Sequence, residues 1–453
     1  MAESNQVIVV GGGIAGLVAA TEAARAGAQV VLIEAAPECG GLLRSITTTA
    51  GDVFDYGTHL PTETGRPDVD SGYIDIWSAH EAVRPAHLVP GGYSFGALRP
   101  WGMWMDWNGT DPASHARWMR GLMESASAAP VAGPSAADVL RSRFGREAVD
   151  EAYAPVLNKL QTVEPDELAP DVVALFGLHR VAALTPDATR LLKHDPALDA
   201  RLAYHDCREK PRDRAVIYPA TGGTGAWIKR LVERAEALGV RVLTGCKLQR
   251  LVHEGARITS VETLAHGTLP CDQLVWTVPP HLLLQAAAEP FTADRPRMLN
   301  TVLVHLVYDH APPIESQFVT CFDPNVRAFR VTLYSNFRPP VPGRYPVTVE
   351  FLTTPQDAAQ LQVETAVQEL VHMGIMVPGA RVLDSIRDEH VAGFPVLTRS
   401  FVEQGSRLAR QVQERFSNVF LAGKARGQDF FMIDVMTRVV DDLPPWLAKQ
   451  AVA

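Results

Sequence analysis

The sequence predicts an α/β protein, with helices packed on a parallel sheet and a discontinuous α+β domain joined to it. Three observations lead there. A β-branched run, Val7 to Val10, leads into a glycine-rich turn, an Ala-rich stretch and a second apolar run, Gln29 to Ile33. Similar helix-and-strand patterns return at 218–280 and at 418–436. Residues 61 to about 205 carry no strong sheet pattern and interrupt the series.

The opening segment carries the most information. Val7-Ile8-Val9-Val10 reads as a buried parallel strand. Gly11 to Gly16 then fits G-x-G-x-x-G, Leu17 to Ala26 is helical in composition, and Gly27 suits the helix end. The second strand ends in Glu34. This is a Rossmann-type dinucleotide fingerprint in its full context. Gly11 permits the tight turn, Gly13 lets a pyrophosphate reach the backbone, and Gly16 lets helix and strand pack closely. Ile14 and Ala15 open a helix whose free N–H groups and partial positive charge suit phosphates. Glu34 stands where a carboxylate accepts from ribose hydroxyls, and with no arginine nearby it disfavours a 2′-phosphate.

Composition narrows the remaining classes. The chain has 453 residues, 47% hydrophobic and 21% charged, which suits two large globular units. Its formal charge is -9, from 42 Lys and Arg against 51 Asp and Glu, without a basic cluster, so nucleic acid is not an expected partner. The five cysteines are far apart and form no CxxC pair. Neither a metal site nor a disulfide framework is expected, and a cytoplasmic setting is. No stretch approaches the ~18 apolar residues of a membrane span. A small-molecule substrate is the expected partner, and oligomeric state is open.

The residues after Glu34 distinguish the cofactor. Glu34-Ala-Ala-Pro-Glu-Cys-Gly40-Gly41-Leu-Leu-Arg44-Ser45 resembles the second glycine motif of the FAD-dependent amine oxidase, phytoene desaturase and UDP-galactopyranose mutase superfamily. The resemblance implies FAD, with Gly40 and Gly41 beside its pyrophosphate and ribitol. Members often carry arginine directly after the glycine pair. Here Leu42 stands there and Arg44 comes two residues on, leaving open a phosphate contact or a solvated arginine. Phe54-Asp55-Tyr56-Gly57-Thr58-His59 resembles the segment that reaches the isoalloxazine edge. It places Gly57 near the cofactor and makes His59 a candidate acid, base or hydrogen-bond partner of substrate. A neutral histidine fixing a loop is the alternative.

Later segments extend the resemblance. Ala126 to Ala137 reads as a linker. Trp101, Met103, Trp104, Met105 and Trp107 suggest either a pocket lining or a satellite core. Tyr218 to Gly225 opens a helix, and the backbone near Leu248 would pair with adenine. On the strand Thr301 to Asp309, the lysine of typical amine oxidases aligns with Val304. Phe329-Arg330-Val-Thr-Leu-Tyr334 resembles the mutase strand whose arginine contacts a substrate pyrophosphate, so Arg330 could hold an anionic group. Gly423-Lys424 and Met432-Ile433 match the closing strand and helix, whose N-terminus faces the flavin in that superfamily. Phe394, Phe430 and Met432 replace hydrogen-bonding residues of the mutases, which implies a more apolar substrate.

The expected architecture is a Rossmann-type FAD-binding domain of residues 1–60, 205–280 and 385–453, with a substrate domain of 61–204 and 281–384. The expected function is an FAD-dependent oxidoreductase, an oxidase, dehydrogenase or desaturase. It would pass a hydride from a small, fairly apolar organic substrate to flavin N5, with His59, Arg330 and Tyr334 orienting substrate. The alternative is a non-redox, mutase-like isomerase using reduced flavin as nucleophile.

Overall fold

A computed structural model describes residues 5–78, 80–85, 88–128, 133–209, 214–427 and 431–450. A five-stranded parallel sheet runs in the order Arg241–Leu243, Gln29–Ile33, Gln6–Val10, Gln273–Trp276, Val419–Leu421. Its strands are apolar on both faces because both are covered. Val7, Val9, Val30 and Leu32 face a core shared with the helices Ile14–Arg25, Gly223–Ala237 and Met432–Gln450. Ile8, Val10, Val31 and Ile33 face the helices Pro280–Ala286 and Arg399–Arg415 and the antiparallel sheet of 248–270.

The second sheet has seven strands, in the order Val382–Pro395, Met298–Tyr308, Tyr345–Thr353, Arg330–Leu333, Phe318–Cys321, Pro90–Ser94, Ala97–Arg99. It is antiparallel except where Phe318–Cys321 meets Pro90–Ser94. The expected domain boundary at 385 falls inside the strand Val382–Pro395, which pairs with Met298–Tyr308. We therefore propose that the FAD-binding unit resumes after Pro395.

Between the sheet segments lies a helical region with its own core. Trp107 and Met105 are fully buried in it, and Trp118 packs on Trp107. Trp104 meets His179 edge-on, and Trp101 lies under Arg208, so the tryptophan-rich segment is mainly core and support. The linker expected over 126–137 is shorter than that. One helix runs to Ser127, and the next starts at Ala136 behind a Ser135 capping box. Residues 129–132, within it, lie outside the described residues. No helix among the described residues is long and apolar enough to cross a membrane, and none of their His, Cys, Asp and Glu form a metal-holding group of three.

Candidate active site

The opening turn is built from backbone. Gly11 has φ +102°, and its N–H donates to the Ile33 carbonyl at 2.9 Å. A Cβ on Gly16 would drive into the Gly11 carbonyl oxygen, and one on Gly12 would lie 2.6 Å from Cys39 Sγ. At Gly13, by contrast, an added Cβ would meet nothing within 4 Å. That open space caps the helix Ile14–Arg25, where a pyrophosphate would lie. Glu34 orders the turn from the neighbouring strand end, its two carboxylate oxygens accepting from the N–H groups of Gly12 (2.6 Å) and Ala36 (2.8 Å).

The second glycine pair lies on this cradle. The Gly40 N–H donates to the Gly12 carbonyl at 2.8 Å, and a Cβ on Gly41 would approach Gly13 Cα at 3.8 Å. Arg44 stays beside the pair, with Nε donating to the Gly41 carbonyl at 3.0 Å. Its guanidinium lies over the Tyr56 ring, 3.8 Å from Glu38. At the other end, the N–H groups of Gly245 and Cys246 donate to the carbonyls of Ala36 and Glu34. Leu248 comes directly after and pairs with Thr263.

The closing segment meets the opening one. Gly423 has φ +56°, and its Cβ position is 2.9 Å from Ala15 Cβ and 3.6 Å from Val435. Lys424 is exposed here, yet surrounding protein holds its ammonium below the usual lysine range. Met432 and Ile433 begin the closing helix, Met432 partly buried against the shared core. Phe430 lies outside the described residues.

Beyond the second glycine pair the chain reaches one side of the seven-stranded sheet through residues 54–59. Residues directly opposite in antiparallel strands share a face. Leu303 is opposite both Asp388 and Glu350, and Glu350 is opposite Arg330. His305 is opposite Thr348, which is opposite Thr332. The segment 54–59 lies across that face. Phe54 is 4.8 Å from the His305 ring, Tyr56 is 4.8 Å from His390, and Thr58 Oγ1 lies 2.5 Å from Thr332 Oγ1. The reverse side, with Val302, Val304 and Leu306, packs on the helix Val363–His372. Val304 therefore points away from the cleft. Leu303 and His305 hold the cleft-facing positions, because a one-residue shift along a strand reverses its sides.

Three polar tips converge where Gly57 has no side chain. Its Cβ position is 3.4 Å from Glu350 Oε2, 3.5 Å from His59 Nε2 and 3.6 Å from Arg330 Nη2. Burial, reinforced by the Arg330 charge, pushes the His59 pKa down to about 4, so its imidazole is neutral at pH 7. Arg330 does not present a bare cation. Both Nε (3.1 Å) and Nη2 (2.8 Å) donate to Glu350 Oε2. The guanidinium expected to hold an anionic group thus already has a carboxylate partner.

Tyr334 is also corrected. It is fully buried, packed with Phe54, Tyr218 and Phe337. Its hydroxyl accepts from the Asp55 N–H at 2.8 Å and lies 3.1 Å from Thr348 Oγ1, so it supports the wall from behind. Asp55, quoted in the sequence motif without a role, is the hub of that support. It accepts from Ser45 Oγ (2.7 Å), the Thr224 N–H (2.9 Å) and the Tyr218 hydroxyl. It thereby caps the helix Gly223–Ala237 with a carboxylate whose pKa burial raises. Glu350 carried no signal in the sequence, because its partner stands on the adjacent strand.

This arrangement matches known proteins. The flavin containing amine oxidoreductase profile covers residues 188–435, more than half the chain, and the NAD(P)-binding Rossmann-like domain profile covers 9–69. The chain belongs to the flavin containing amine oxidoreductase family. The family match gives it a flavin as cofactor. It is 27% identical over 308 residues to hydroxyneurosporene desaturase of Cereibacter sphaeroides, across 62% of this chain and 57% of that protein's length. The reduced UDP-galactopyranose mutase structure superposes with TM-score 0.73 at 16% identity, covering 97% of this chain and 93% of the other. Cyclohexylamine oxidase from Brevibacterium oxydans gives 0.62 at 16% identity, covering 99% of each. At these identities the two structures show a shared fold.

Proposed function

We propose that this enzyme takes a hydride from a C–H or C–N carbon of a small, largely apolar organic molecule to N5 of FAD. The observation that supports this most is the approach of the closing segment to the opening turn, where the Cβ position of Gly423 lies 2.9 Å from Ala15 Cβ. FAD, when bound, supplies the electron-accepting ring. The chain supplies everything else. Gly11, Gly13, Ile14, Ala15 and Gly16 would hold the pyrophosphate, with Gly40, Gly41 and Arg44 against its second side. Glu34 would take the ribose, and backbone near Leu248 the adenine. Gly57, Gly423, Lys424, Met432 and Ile433 would border the ring.

Substrate lies between the ring and the wall of 303–305, 330 and 348–350. Neutral His59 offers it a hydrogen bond, and Arg330 with Glu350 orients it. Phe394, which packs towards Phe176, contributes an apolar border. The test is anaerobic mixing of FAD-loaded protein with candidate amines, alcohols and unsaturated hydrocarbons. Bleaching of the flavin band at about 450 nm is expected with the substrate. Turnover that appears only after dithionite reduction would instead establish the isomerase reading.

A further inference from the structure

A cavity separate from the cleft lies where the helical region meets the reverse side of the seven-stranded sheet. Tyr93 packs on that side with Val302, Val304 and Leu306, and His372, which ends the helix Val363–His372, lies beside it. The cavity measures about 360 Å³, a size that suits a small molecule. Tyr93, Phe95, Val156 and Phe322 give it an apolar lining, and none of its lining residues is Lys or Arg.

Asp323 brings a buried charge to this lining. It is 3% exposed, and its carboxylate accepts from the N–H groups of Gly96 (2.7 Å) and Asn325 (2.9 Å) and from Asn325 Nδ2 (2.9 Å). All three donors are neutral, and among the described residues the carboxylate has no ion-pair partner. Lys159 gives its ammonium instead to the backbone carbonyls of Cys321 (2.9 Å) and Asp323 (3.0 Å). The second acid of the lining, Glu151, is already met by Arg117 and Trp118. Tyr93 is also 3% exposed, and its hydroxyl makes no hydrogen bond among the described residues. Burial and the charge of Asp323 raise its pKa. Phe95 holds φ +50°, a left-handed conformation that bulky residues rarely adopt. Asp323 fixes that turn through Gly96, and the Phe95 ring rests on Trp118 at 5.5 Å.

We propose that this cavity is a second ligand site, and that it takes a small organic cation, an ammonium or amidinium group on an apolar body. A buried carboxylate without a cationic partner is costly, and a ligand cation supplies that partner. The rings of Tyr93, Phe95 and Phe322 favour positive charge near their faces and cover the ligand's apolar body. An anion of the same shape meets two carboxylates and no lysine or arginine, so it is rejected.

Calorimetric titration of FAD-loaded, full-length protein with benzamidinium, benzamide and benzoate tests this, with the flavin band recorded alongside. The three probes share a shape and differ in charge, and none has a hydrogen on its C–N or carboxyl carbon to give to a flavin. Wild type binds benzamidinium on the order of tenfold tighter than benzamide, and benzoate more weakly than either. The flavin band stays unchanged, because the cavity and the cleft lie on opposite sides of the sheet. Asp323→Asn brings benzamidinium to within about threefold of benzamide, and Tyr93→Phe weakens benzamidinium by about threefold. Should Asp323→Asn fail to fold, Phe95→Ala decides, since it keeps the carboxylate and removes one wall. It lowers the affinity for benzamidinium and benzamide alike, by on the order of fivefold. No heat with benzamidinium, equal binding of the three probes, an affinity for benzamidinium unchanged in Asp323→Asn or Phe95→Ala, or binding that perturbs the flavin band overturns the proposal.

Discussion

The cofactor cradle and the polar wall are made in different ways. The cradle is backbone geometry. Its defining contacts are the closeness of Gly16 to Gly11, of Gly12 to Cys39, and of Gly423 to Ala15. The wall is side-chain chemistry, assembled across paired strands of the seven-stranded sheet, such as Arg330 with Glu350 and His305 with Thr348. At those contacts the cradle tolerates no added atoms. A wall of this kind can be re-specified by single substitutions that leave the backbone alone, and that is where enzymes sharing the fold are free to diverge.

The contrast can be broken most severely inside the cradle. Gly16→Val forces a side chain into a carbonyl oxygen and should cost about 3 kcal/mol or more, seen as loss of a cooperative thermal transition. Gly13→Val occupies open space. It should fold normally and lose roughly two decades of FAD affinity, read by flavin titration of the apo-protein. A Gly13→Val protein that purifies yellow would place the phosphates elsewhere.

Behind the wall, Asp55→Ala leaves two hydroxyls and an N–H buried without their acceptor. It should lower stability by on the order of 3 kcal/mol, measured as a shift of the urea midpoint.

Acid should act through the wall as well. Burial holds His59 and His305, and His179 in the helical region, near 4 against an ordinary value of 6.5. The unfolded chain takes up those protons first, so their contribution is intact above about pH 6.5 and is lost as pH falls through about 4. Urea midpoints measured at steps between pH 7 and 4 should fall throughout, and His305→Asn should flatten the slope. A flat wild-type profile would remove the linkage.

The mildest change is Tyr334→Phe, which deletes one buried hydroxyl. A loss of about 1 kcal/mol in a melt is expected.

The same contrast explains what could be read from the sequence. A strand, a glycine turn, a helix and an acid stand close together in the chain, and each sits where local chemistry requires it. The tight turn at Gly11 and the close packing at Gly16 were therefore legible. Gly12 was not, because its neighbour Cys39 reaches it only through the folded second glycine motif. In the wall, a match to the strand Met298–Tyr308 that slipped by one residue selected Val304, which faces the far core, in place of its neighbours. Tyr334 looked like a substrate contact because nothing local shows that the Asp55 N–H and Thr348 occupy its hydroxyl. Glu350 was invisible for the same reason. Strand register is a long-range property, and charge compensation across a register leaves no mark on either strand alone.

The order of strands in the parallel sheet also governs when the protein can become active. Its first two strands leave the ribosome early, but the central one, Gln6–Val10, must wait for Gln273–Trp276 to border it, and Val419–Leu421 arrives almost last. Such wide sequence separation makes assembly slow. A chain that stops before Val419 lacks both the fifth strand of this sheet and the segment that closes on Ala15.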